Sequence, residues 1–260
     1  MVEHGLTFAF TVLMWWLGTG VILVLCARPR RTFARSLLGA SIVGIAAFYG
    51  LFLSARTPSV TGHYLSFLCA VGIWGWVEMS FLMGYVTGPS KAPCPPDARG
   101  WSRFRLALAT LLYHELTIVA AAAIVLALTW GAPNQTGTCT FAILMIMRIS
   151  AKLNIFLGVP NLTDQFLPER LAYLKSYFRK RRFNLLFPVS VAGSIAVAVG
   201  LAERALGAEG PEAVGAALLF TLLSLAILEH FFMMLPLPDG ALWQWAVPGP
   251  SAKPMEKPLP

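Results

Sequence analysis

Runs of roughly 20 apolar residues, separated by short polar stretches, recur along the whole chain. At 1.5 Å per residue each is long enough to cross about 30 Å of hydrocarbon. The pattern predicts an all-α fold, a polytopic membrane bundle of seven transmembrane helices at 6–26, 36–53, 64–86, 104–130, 139–157, 185–201 and 214–235. It forms one integral membrane domain over residues 1–260, with a flexible tail over 248–260. The first run is too long for a signal-peptide core and lacks a small-residue cleavage site, so it reads as a retained helix. Composition agrees: 57% of residues are hydrophobic and 12% charged, about half the charge of an ordinary globular domain.

Charge then orients the helices. The connections after the first, third and fifth runs, with the C-terminal tail, carry 16 of the 20 Lys and Arg residues; the opposite side has only Arg56 and Arg204. Basic residues collect on the cytoplasmic side, so the N-terminus is periplasmic, the C-terminus cytoplasmic and the number of spans odd. The net charge of +8 is thereby accounted for by topology, and nucleic acid is not an expected partner. The longest connection holds FLPERLAYLKSYFRKRRF. Pro168 suits a first helical position. Leu171, Leu174, Tyr177 and Phe178 recur opposite Arg170, Lys175, Arg179 and Arg182. The expectation is an interfacial basic helix over 168–182. It would lie on the bilayer and turn Arg170, Lys175, Arg179, Lys180, Arg181 and Arg182 to anionic lipid or a partner's surface.

The remaining two cations, Arg148 and Lys152, lie with Asn154 inside the fifth span, in MIMRISAKLNIFLGVPN. Other spans contribute Glu78, the pair His114 and Glu115, and the pair Glu229 and His230. Ionisable groups at mid-membrane are costly, face the bundle interior and mark function. Counted from the cytoplasmic helix ends, Glu78, Glu115, Arg148, Lys152 and Glu229 all fall about 8–17 Å deep. That predicts one buried polar cluster of three carboxylates and two cations, either binding a ligand or pairing helices. Its surplus carboxylate needs a proton, a histidine or a cation. Adjacent residues diverge by about 100° on a helix, so both members of His114–Glu115 or Glu229–His230 can face inward only at a helix–helix interface. Carboxylates and imidazoles suit iron, manganese or zinc, but the Glu-x-x-His repeat of bundle di-iron centres is absent, and the metal stays unknown. A neutral imidazole at His114 or His230 could instead ligate the magnesium of a chlorophyll-type pigment.

There is no P-loop, dinucleotide fingerprint, nucleophile elbow or CxxC, so no catalytic residue is assigned. The four cysteines imply no disulfide framework. Most tryptophans fall near span ends as an aromatic belt, though Trp74 and Trp76 beside Glu78 could line a pocket for a flat ligand. Asn134 and Asn161 sit in chance-prone glycosylation triplets.

The blocks RPRRTFARSLLGA, WGWVEMSFLMGYVTGP, CPPDARGW, LTWGAPNQTGT, RISAKLNIFLGVPNL and LEHFFMMLPLPD resemble the PuhE family of photosynthetic complex assembly proteins from purple phototrophic bacteria, from about residue 15 to residue 245. The resemblance implies a multi-pass protein of the bacterial cytoplasmic or intracytoplasmic photosynthetic membrane, encoded with the reaction-centre H subunit. It would assemble the reaction centre and core light-harvesting complex with other assembly factors, or modulate bacteriochlorophyll supply. The cofactor implied is at most a transient bacteriochlorophyll or precursor. The competing readings are a membrane-embedded, metal-dependent enzyme acting on a pigment or other lipophilic substrate, and a proton or solute carrier.

Overall fold

The computed structural model describes residues 2–162, 167–235, 242–243 and 245–246. Seven α-helices follow one another: α1 Val2–Ala27, α2 Phe33–Ala55, α3 Val60–Leu82, α4 Gly100–Thr129, α5 Thr136–Leu157, α6 Leu186–Gly207 and α7 Gly210–Phe232. All seven are long and apolar enough to cross a membrane. Their ends differ from the expected spans where local chemistry overrides hydropathy. Ser59 caps α3 four residues early, its hydroxyl accepting from the Gly62 N–H at 3.1 Å. The sixth helix continues through Glu203 and Arg204 to Gly207, because these end residues stand clear of the apolar run. α4 has 30 residues, about 45 Å, so one end must project beyond the hydrocarbon.

Two helices form the centre. Of the most apolar window, 56% is buried in α3 and 61% in α7, against 11–22% in the others. Leu51 of α2, Ile73 and Val77 of α3, Ile118 and Val125 of α4, and Phe141 of α5 make one core layer. Phe67 of α3 meets Val214, Leu218 and Leu222 of α7 in another, with Phe10 and Met14 of α1 against them. Outward side chains such as Ile42, Ile45, Val119 and Val197 remain exposed and apolar, as a surface solvated by lipid requires.

The connection after α5 differs from the expected basic helix over 168–182. Residues Glu169–Tyr177 form a 3-10 helix, and Phe178 onward is extended. Lys180 then pairs with Val159 in an isolated parallel bridge. Leu171, Leu174 and Tyr177, three apart, are all buried. A 3-10 helix has three residues per turn and stacks this spacing on one face, where an α-helix would fan it out. The segment packs under the bundle, with Leu171 and Leu174 against Phe81 of α3 and Leu111 of α4. The expected tail at 248–260 lies outside the described residues.

Candidate functional site

The membrane-embedded charges meet where α3, α4 and α5 face one another. Arg148 donates from Nη2 to Glu78 Oε2 at 2.9 Å. Lys152, one turn on, donates to Glu115 Oε1 at 2.7 Å. Arg148 and Lys152 lie one turn apart on α5, which sets the two pairs side by side as one network. His114 Nε2 lies 3.9 Å from Glu78 Oε1, and its ring stacks on Phe81 with centroids 4.3 Å apart. Backbone from the loop after α3 holds His114 in place. The Thr87 carbonyl accepts from the His114 N–H at 2.9 Å, and the Ser90 N–H donates to the Ala109 carbonyl at 3.2 Å. Gly88 lies between them, where a Cβ would come within 2.2 Å of the Ala109 carbonyl oxygen; only glycine lets the loop lie this close.

Each adjacent pair is split between two neighbours, as the 100° divergence demands. On α4, His114 turns to α3 and Glu115 to α5. On α7, His230 turns to α5, where Ser150 Oγ lies 2.9 Å from Nε2, and Glu229 turns to α1. There it accepts from the Trp15 indole N–H at 2.8 Å. His230 Nδ1 is 2.9 Å from the Ala226 carbonyl, which makes Nδ1 the donor and Nε2 the acceptor of the Ser150 hydroxyl. Asn154 joins this second polar seam, donating to the Ser150 carbonyl at 2.9 Å. The eight residues therefore divide between a charged network, a seam in which Ser150 joins His230 and Asn154, and Glu229, which meets Trp15 of α1.

The network is tight inside and open at one edge. Glu78 Oε1, both ring nitrogens of His114, Arg148 Nε and Asn154 Oδ1 are buried without a hydrogen-bond partner. Yet the Arg148 side chain is 41% exposed, against 9% for Glu78, and Glu229 is exposed. Neither histidine offers a flat pigment a coordination position. Both nitrogens of His230 are engaged, and His114 is wholly enclosed. Among the described residues no three His, Cys, Asp or Glu side chains converge as a metal site requires. Trp74 and Trp76 turn away from the charges: Trp74 meets Phe141 edge-on, and Trp76 donates to Ser41 Oγ.

At the rim the basic residues divide. Arg170, expected to face lipid or a partner, points into the protein. It donates to the terminal carbonyls of α3 at Leu82 (2.8 Å) and of α1 at Cys26 (2.9 Å), and it lies over the Phe33 ring. Burial lowers its pKa below the ordinary arginine value, and the Arg30 charge adds to this. Helix C-terminal carbonyls lack intrahelical partners and carry partial negative charge, so a planar cation satisfies two helices together. Lys175, Lys180, Arg181 and Arg182 are exposed, and Arg179 is half-buried. Neither glycosylation triplet is free for modification in this arrangement. Asn134 is buried and holds the Ser54 carbonyl, while Asn161 donates to the Phe232 and Leu235 carbonyls at the end of α7. The sequence does not mark Trp15 and Ser150 as partners of Glu229 and His230; their only signal is position, a tryptophan and a serine deep in apolar helices.

The chain matches the family described as "Protein of unknown function (DUF3623)" over residues 1–254. It is 43% identical, over 92% of its length and 89% of the relative's, to an uncharacterised 30.4 kDa protein in the puhA 5′ region of Rhodobacter capsulatus. No solved structure matches the chain.

Proposed function

The chain belongs to the DUF3623 family, and from that premise we propose that it is a membrane assembly factor for the photosynthetic reaction centre and core antenna, or a modulator of bacteriochlorophyll supply to them. The relative's position in the puhA 5′ region supports a photosynthetic role. The observation that carries the mechanism is the exposed edge of the ion network: the Arg148 side chain is 41% exposed midway along α5, and Glu229, exposed in the last turn of α7, accepts from Trp15. A charge there is costly against lipid tails, so this edge is completed by a polar group that arrives within the bilayer. A pigment or pigment-protein supplies such a group on an otherwise apolar body. Arg148 and the Trp15 and Glu229 pair receive its carbonyl or carboxyl oxygens and its hydrogen-bond donors. The Glu78 carboxylate behind holds Arg148 in place.

The test is an absorption spectrum and subunit composition of the protein purified in mild detergent from a phototrophically grown host. A tetrapyrrole band, or reaction-centre and antenna subunits, should co-purify in near-stoichiometric amount and be lost from Glu229→Gln and Trp15→Phe. A deletion strain with undiminished reaction centre and core antenna would overturn the reading.

A further inference from the structure

A second site lies at the rim, independent of the ion network. The bridge between Val159 and Lys180 is closed by three backbone bonds: Val159 N–H to the Arg179 carbonyl, Arg181 N–H to the Val159 carbonyl, and Arg179 N–H to the Ile155 carbonyl. It fixes Arg179 and Arg181 beside the C-terminus of α5. Gly158, at φ +125°, lets the chain turn there, and the Arg181 side chain lies directly over it. Arg103, from the first turn of α4, reaches the same place, donating to the Phe156 carbonyl at 3.2 Å and to the Tyr177 carbonyl. Arg103 itself is buried, 4% exposed. Arg179 and Arg181 are thus anchored beside it, and among the described residues neither has a carboxylate within ion-pair distance. Lys180 and Arg182 stand exposed on either side of Arg181. Like charges fixed this way favour an anion.

The surroundings say which anion. Arg103 lies over the Phe156 ring at 4.1 Å, Phe156 meets Phe104 at 5.8 Å, and Phe104 stacks on Trp101 at 5.0 Å. Trp101 is 69% exposed, and Phe183 and Leu185, just past the basic run, are 54% and 79% exposed. An aromatic wall and open apolar side chains border the cationic patch at the ends of three membrane helices. A free phosphate would use only the cations. A phospholipid uses both, its headgroup on the arginines and its chains beside the aromatic wall. We propose that Arg179 and Arg181 bind the phosphate of an anionic phospholipid, with Arg103 buried behind them, Lys180 and Arg182 at its edge, and Trp101 and Phe183 flanking its glycerol and upper chains.

The experiment compares thermal unfolding of the full chain in nanodiscs of phosphatidylglycerol and of phosphatidylcholine, with native mass spectrometry of the retained lipid. Wild type should unfold several degrees higher in phosphatidylglycerol and retain it after detergent extraction. Each arginine removed near the surface should weaken retention roughly fivefold, so Arg179→Gln with Arg181→Gln should abolish both the retention and the difference between lipids. In phosphatidylcholine the double variant should equal or exceed wild type, because like-charge repulsion is relieved; a purely structural role would lower it in both lipids. Arg31→Gln with Lys91→Gln, which removes two other basic residues, should keep the lipid difference. The proposal falls if the Arg179/Arg181 variant keeps it too, or if inorganic phosphate in phosphatidylcholine stabilises wild type equally. It also falls if the variant loses a co-purifying acidic protein while retaining phosphatidylglycerol.

Discussion

Arg148 and Arg170 show two ways of placing a guanidinium in this protein. Arg148 lies within a span and meets a carboxylate, Glu78, from another helix. Arg170 lies at the rim and meets no carboxylate among the described residues; it binds the last carbonyls of α1 and α3. Deep in the bilayer every backbone carbonyl of a helix is already bonded within it, so only an opposite charge can balance a cation. At a helix end the carbonyls are unsatisfied and partly negative, and backbone alone suffices. The first arrangement couples the fates of two residues. The second couples the ends of two helices.

That difference can be broken by substitution. The largest effect is expected for Arg148→Met, which leaves Glu78 buried and unpaired at a cost of about 3–5 kcal/mol. Adding Glu78→Gln should restore most of it in unfolding measured in detergent. Arg170→Met strands two carbonyls and should cost about 2–3 kcal/mol. Here Glu78→Gln should give no rescue, and Arg170→Lys should recover little, since one ammonium lacks the fork that spans both carbonyls. Lys152→Met should cost about 1–3 kcal/mol, because Lys152 and Glu115 are each about one-fifth exposed. Glu115→Gln should rescue that loss. The smallest stability change, under about 1 kcal/mol, is expected for Glu229→Gln, whose amide oxygen still accepts from Trp15. Its effect should appear in pigment or partner retention.

The seven helices were legible because lipid imposes length and apolarity on every span, and that signal survives ignorance of packing. The meeting of Glu78, Glu115, Arg148 and Lys152 was legible from depth alone, since charges at one level in one bundle have few other partners. What depth could not give was azimuth. Glu229 and His230 share a depth with the others, yet α7 turns Glu229 to Trp15 and His230 to Ser150. In the basic connection Leu171, Leu174 and Tyr177 suit a helical face in sequence, but their spacing is three, the period of the 3-10 helix they form. Arg170 looked like its basic neighbours. Its role depends on where α1 and α3 happen to end, which no local pattern records.

The clasps between α3 and α5 have a mechanical consequence. Near one end His63 Nδ1 lies 2.6 Å from Thr136 Oγ1, and the Gly137 N–H donates to Ser66 Oγ at 3.1 Å. Near the other, Glu78 holds Arg148. Ser66 and Glu78 are about 18 Å apart along α3. Pinned at two such points, α5 and α3 transmit force to each other as one unit. α1 is pinned to α3 as well: Thr7 Oγ1 lies 2.7 Å from the Tyr64 hydroxyl near one end, Arg170 joins Cys26 to Leu82 at the other, and Trp15 to Glu229 adds a tie to α7. The frame of this protein is α3, with α5 and α1 each held to it at two separated points.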